Sequence, residues 1–217
     1  MTIAVVASTV LFSLAMRRRA LVPGRMQAFA EMVYEFVAGM IRENIGTKGR
    51  QYFPLIFTLF MIVLLGNMLG MVPYSFTYTS HIIVTAALAF MIFFVVLAVG
   101  LLNHGLKFFS LFLPAGVPWW LTPLILPIEI MSFLTRPITL SVRLFANMIA
   151  GHIMLKVFAG FSVGMVAMGA TGVLGSILPM IFNSVMIGFE LLVAFLQAYV
   201  FAILSCIYLK DTVDLDH

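Results

Sequence analysis

Residues 137–161 form a long, almost wholly apolar run, and Arg143 sits inside it. Several other apolar runs approach or exceed the roughly 20 residues that carry a helix across a bilayer. Such a chain folds with lipid as its solvent. A guanidinium keeps its charge in proteins. It costs about 2.5 to 3.5 kcal/mol at the centre of a membrane helix. A cell tolerates that cost only where the charge is used. The natural user is an ion or its carrier, so the chain reads first as part of an ion pathway.

Composition excludes the soluble classes. Hydrophobic residues make up 63% and charged residues 9%, against roughly 25% charged in a soluble protein. The net charge of +4 is small. The basic residues Arg17, Arg18, Arg19, Arg25, Arg42, Lys48 and Arg50 flank apolar segments. That is the positive-inside pattern, not a nucleic-acid patch. The lone Cys206 allows no internal disulfide and no Cys-based zinc site. The chain has no GxxxxGK[ST] loop, so it holds no nucleotide. No metal and no cofactor are implied.

The predicted fold is an all-α polytopic membrane protein, one domain over residues 1–217. It has about five crossings and one surface amphipathic helix. Residues 3–16 are too short to cross alone. They read as part of a first spanning helix, with the true start of the chain placed further out. Residues 24–45 carry Met26, Phe29, Val33, Phe36, Val37, Met40 and Ile41 at helical spacing, with a polar back of Gln27, Glu31, Glu35 and Arg42. Such a helix lies on the membrane surface. Gly46 to Arg50 reads as a basic turn. Residues 55–72 and 82–102 form a membrane hairpin, joined by a polar outer loop. Trp119 and Trp120 fit an interfacial belt. Residues 122–158 and 173–209 would each be about 50 Å long as helices, so strong tilt or kinking is required. Pro127, Pro137 and Pro179 offer kink points. The basic residues place the N-terminus outside and the C-terminus in the cytoplasm.

The two long segments carry polar stripes. Glu129, Arg136, Arg143 and Ala150 are spaced by seven, about 20° apart around a helix. Asn147 follows Arg143 by one turn. Asn183, Glu190 and Gln197 repeat the spacing on the other segment. Intramembrane polar groups face partners or water, so the stripes should face each other or a shared partner. His152 and Glu190 pair an imidazole with a carboxylate, which suits a proton relay. Two readings stand for Glu129: a charge partner for Arg136, or a place on the ion path. Arg136 could equally bond carbonyls freed by Pro137. Asn67 reads as interhelical glue, and Gln197 as glue or path. Small residues crowd the stripes: Ala146, Ala150, Gly151, Ala159, Gly160, Gly188, Ala194 and Ala198. They suit bundle packing, or a smooth face for another protein.

The run Ser141-Val142-Arg143-Leu144-Phe145-Ala146-Asn147-Met148-Ile149-Ala150-Gly151-His152 resembles the signature of subunit a of F-type ATP synthases, the membrane stator of the Fo sector. The stretch from Glu190 through Gln197 to Phe201 resembles the last helix of that family. The resemblance implies a proton-translocating subunit with two aqueous half-channels, itself without catalytic chemistry. Arg143 matches the arginine that faces the c-ring carboxylate. Asn147, His152, Glu190 and Gln197 match the outer half-channel, Glu129 a position near the inner one, and Asn67 a polar site on an earlier helix. Asn183 and Arg136 stand as secondary candidates. The implied partners are the c-ring, b-type peripheral-stalk subunits and the lipid bilayer. The implied location is a bacterial inner membrane, with the mitochondrial inner membrane as the alternative. A secondary ion-coupled transporter is the rival reading, but it would usually show inverted repeats, and none is visible.

Overall fold

In the computed structural model, described for residues 5–6, 8–10, 12–13, 24–71, 78–105 and 121–213, regular structure is helical throughout. The expectations for Arg17 to Arg19, for the Trp119–Trp120 belt and for most of the loop after residue 72 lie outside the described residues. So does much of the 3–16 segment, although residues 8–10 and 12–13 are helical.

Helix α1 spans Arg25–Asn44. It buries Ala30, Val37, Met40 and Ile41 against the bundle and leaves Met26, Phe29 and Met32 exposed. The stretch expected as a basic turn is instead a 3-10 helix, Gly46–Tyr52, feeding helix α2, Phe53–Gly70. Helix α3 spans Ile82–His104. Helix α4 covers Thr122–Val166 and helix α5 Ala170–Val213, 45 and 44 residues respectively. Among the described residues, four helices are long and apolar enough to cross a membrane.

The last two helices run further than the sequence predicts. The stretch between the two predicted segments, residues 159–172, contains Gly160, Gly164, Gly169 and Gly172, which weaken a helix in water. In hydrocarbon, a broken turn leaves amides unpaired. The helix therefore continues past Gly160 and Gly164, and the reversal shrinks to residues 167–169. At 45 residues α4 is about 68 Å long. It fits a hydrocarbon core of about 30 Å only when lying well over towards the membrane plane.

The core lies where α1, α2 and α3 meet the middle of α4 and the C-terminal half of α5. Ile56, Phe60, Ile92, Leu144, Phe201 and Leu209 are its largest buried apolar side chains. Phe36 joins it through rings of Phe60, Phe195 and Tyr199, with centroids 5.8 to 5.9 Å away. Beyond this core the α4–α5 hairpin continues with apolar side chains exposed on most sides, among them Ile153, Val157, Ile177 and Phe182. Lipid or other subunits are the solvent for such a surface.

The tight reversal depends on two glycines. Gly169 adopts φ 91°, a left-handed conformation that costs other residues about 1 kcal/mol or more. A Cβ at Gly172 would fall on the carbonyl oxygen of Met165. Gly172→Ala should destabilise the hairpin by about 1 to 3 kcal/mol. Gly164→Ala, where a Cβ meets nothing within 4 Å, should be harmless. Thermal unfolding of the purified assembly in detergent compares the two, and equal midpoints would contradict the role of the turn.

Candidate functional site

The two faces of α4 differ sharply around Arg143. Pro137, Leu140, Ser141, Leu144 and Met148 are buried, at the i, i+3, i+4, i+7 spacing of one helix face. Val142, Arg143, Ala146 and Ala150 are exposed on the other face. No hydrogen bond or ion pair holds the Arg143 guanidinium among the described residues. The charge therefore stands on the exposed face of α4, with the small side chains of Ala146 and Ala150 beside it.

About two and a half turns further along, α4 and α5 bring two predicted residues together. Nδ1 of His152 stands 2.9 Å from Oε1 of Glu190. Glu190 is only 6% exposed. The approach lacks hydrogen-bond alignment, and both carboxylate oxygens are buried with no hydrogen bond among the described residues. Gly151 makes the seat. A Cβ there would lie 2.6 Å from Oε1 of Glu190. Beside this pair opens a cavity of about 150 Å³, lined by Asn147, Ala150, Gly151, Met186, Glu190 and Val193 among others. That is room for several waters. Asn183 is half-buried one stripe position before Glu190, and its Oδ1 has no partner among the described residues. Gln197 is half-buried on the same stripe.

At the other end of the stripe, the predicted partnership changes. Nη1 of Arg136 donates to Oδ2 of Asp211 at 2.9 Å. Its guanidinium also sits 5.2 Å from the ring centre of Tyr208 and 5.7 Å from that of Phe133. Glu129 is half-buried and is not the acid that pairs with Arg136. Nor is Arg136 spent on carbonyls freed by Pro137. The physical reason is the length of α5. It runs to Val213 rather than stopping at residue 209, and the extra turn presents Asp211 to α4.

Asn67 is fully buried on α2, and its Nδ2 donates to the carbonyl oxygen of Ala194 on α5 at 3.3 Å. The small residues divide between two uses. Ala194 and Ala198 are buried in the bundle, while Ala146, Ala150, Ala159, Gly160 and Gly188 lie exposed. Sequence reasoning missed Asp211, the Gly151 seat and a buried hydroxyl pair, Thr85 with Ser141 at 3.2 Å. The only available signal was an acid at the end of an apolar helix.

The sequence matches the ATP synthase A chain family over residues 1–210. It is 56% identical to an ATP synthase subunit a of Mesorhizobium japonicum, over 98% of this chain and 84% of that one. It is 55% identical to an ATP synthase subunit a of Acidiphilium cryptum, over 98% and 85%. It is 59% identical to an ATP synthase subunit a of Rhizobium johnstonii, over 90% and 78%.

The cavity makes a chemical prediction. In a Cys206→Ser background, Asn147→Cys and Gln197→Cys should react with water-soluble thiol reagents. Leu88→Cys, buried in the core of α3, should not. Equal protection at all three positions would mean that no water reaches this site.

Proposed function

This chain belongs to the ATP synthase A chain family, and from that premise we propose that it forms the proton path of the stator against a rotating c-ring. As a family member it is a membrane subunit of an ATP synthase, serving ATP synthesis through proton transport. The observation that carries the finer reading is Arg143. It is an exposed guanidinium in the middle of a long apolar helix, with no hydrogen bond or ion pair in its own chain among the described residues. Such a charge calls for a carboxylate supplied by another subunit.

A proton cannot cross lipid in one step, so two offset half-channels each reach part-way. The outer one opens through the cavity at Asn147 and the His152–Glu190 pair, with Asn183 and Gln197 extending the polar stripe. Glu190 and His152 pass the proton between acid and imidazole to a carboxylate on the rotor. Once neutral, that carboxylate turns through lipid cheaply. Returning to the stator, it meets Arg143, and the positive charge favours its ionised form. The proton leaves along the inner side near Glu129. Arg143 also repels any proton moving straight between the half-channels. Each charge that crosses gains about 2.3 kcal/mol per 100 mV, which drives rotation.

The small exposed residues Ala146, Ala150 and Gly188 give the rotor a smooth face to slide along. Asn67 fixes α5 through its bond to Ala194. The ion pair between Arg136 and Asp211 ties the N-terminal half of α4 to the C-terminal end of α5. Catalysis of ATP formation belongs to other subunits, and b-type stalk subunits hold this chain against rotation. The chain lies as one domain in a bacterial inner membrane, N-terminus outside and C-terminus cytoplasmic.

Arg143→Ala should abolish ATP-driven acidification of membrane vesicles while the complex still assembles. Arg143→Lys should nearly abolish it, since a lysine loses its proton when desolvated and lacks the planar fork. Normal pumping by either variant would sink the mechanism.

The pair itself is tested by exchange. His152→Glu and Glu190→His should each depress ATP synthesis in vesicles, and the double exchange should recover part of the loss. Groups in contact give non-additive effects. A double variant as impaired as the product of the singles would show the two to be uncoupled. Gly151→Ala should mimic the Glu190 lesion, because the added methyl displaces the carboxylate from its seat.

A further inference from the structure

We infer that Thr85 and Ser141 are positioning residues for Arg143: their buried hydroxyl chain fixes the rotation of α4 that turns the guanidinium outward. The inference rests on the reading of Arg143 given above. Thr85 is fully buried on α3, and Ser141 is buried on α4. Their oxygens are 3.2 Å apart. The direction of the bond follows from counting hydrogens. Oγ1 of Thr85 also lies 3.1 Å from the carbonyl oxygen of Ile82, where it can only donate. A threonine hydroxyl has one hydrogen. The Ser141 hydroxyl is therefore the donor to Thr85, and Thr85 passes its own hydrogen to the first turn of α3.

Ser141 and Arg143 are two residues apart, about 200° around the helix. The surface that holds Ser141 thus faces almost opposite to the surface that carries Arg143. The neighbouring contacts between the helices are apolar: Leu88, Ala89 and Ile92 on α3, Leu140 and Leu144 on α4. Apolar packing is non-directional and tolerates small rolls of a helix. The hydroxyl chain is directional. If α4 rolls so that Ser141 leaves Thr85, the directional bond between the helices is lost, and Arg143 swings towards α3. Seven residues earlier, Arg136 is tied to Asp211 on α5. The segment bearing Arg143 is thereby held against two different helices.

The test uses the whole complex in membrane vesicles. Val142 is exposed beside Arg143, while Leu144 is buried. In a Cys206→Ser background, the thiol-labelling rates of Val142→Cys and Leu144→Cys give a ratio that reports the roll of α4. Thr85→Val keeps the shape and removes the acceptor. Ser141→Ala is the milder change and removes only the donor. Each should lower the ratio about threefold, the size of an average interhelical polar bond in a membrane. Each should also lower protons pumped per ATP hydrolysed. Thr85→Ser keeps both hydrogen bonds and should retain both values. Reduced pumping with an unchanged ratio overturns the inference, and so does a changed ratio with unchanged pumping. A general packing defect would lower assembly and would not be rescued by Thr85→Ser. Arg143→Ala serves as the separate control: if it pumps normally, the reading of Arg143 fails, whatever the labelling ratio reports.

Discussion

Hydrocarbon offers nothing for a polar group to bond, so each one in this chain must find its partner within the protein or face water or another subunit. The consequences run through the whole molecule. Backbone amides remain helical past glycines that would break a helix in water. Asn67 reaches the backbone of Ala194, Ser141 reaches Thr85, Arg136 reaches Asp211, and His152 reaches Glu190. Each of these joins one helix to another, so the polar groups act as fasteners between otherwise slippery apolar surfaces. Arg143 has no such partner among the described residues, and an exposed charge left over after this pairing is what directs attention outside the chain.

The length of α4 and α5 belongs to the same argument. Two helices of about 68 and 66 Å share one hairpin. Their shared interface gathers the His152–Glu190 pair and the cavity at Asn147. The middle of α4 and the C-terminal half of α5 are anchored in the core by Leu140, Leu144, Phe201 and Leu209. The other end projects beyond the bundle with exposed apolar sides. A strongly inclined pair of this kind offers a long face at nearly constant depth, which suits contact with a surface that moves past it.

Polar residues at seven-residue spacing were legible in the sequence because 3.6-residue geometry fixes which side chains share a helix face. Arg143 and Glu190 lie on these stripes, Asn147 follows Arg143 by one turn, and His152 stands out as an imidazole in an apolar run. Two assignments were not legible. From the sequence, Glu129, its neighbour on the stripe, and the backbone at Pro137 are the partners within reach of Arg136. The true acid lies 75 residues away, on another helix. Ser141 and Thr85 are separated by 56 residues and look like ordinary small polar residues in apolar runs. Local periodicity says which face a residue occupies and nothing about what stands opposite.

The sequence alone therefore determined the solvent of the fold, its helical class, the stripe of polar positions and the charge that lipid could not satisfy. All of these follow from composition and short-range geometry. Only the tertiary structure decided how far each helix runs, which partners close the polar pairs, and why position 151 must be glycine beneath a carboxylate. Those outcomes depend on side chains from distant parts of the chain meeting within about 3 Å, at hydrogen-bond distance. That is a property of packing, which no single segment encodes.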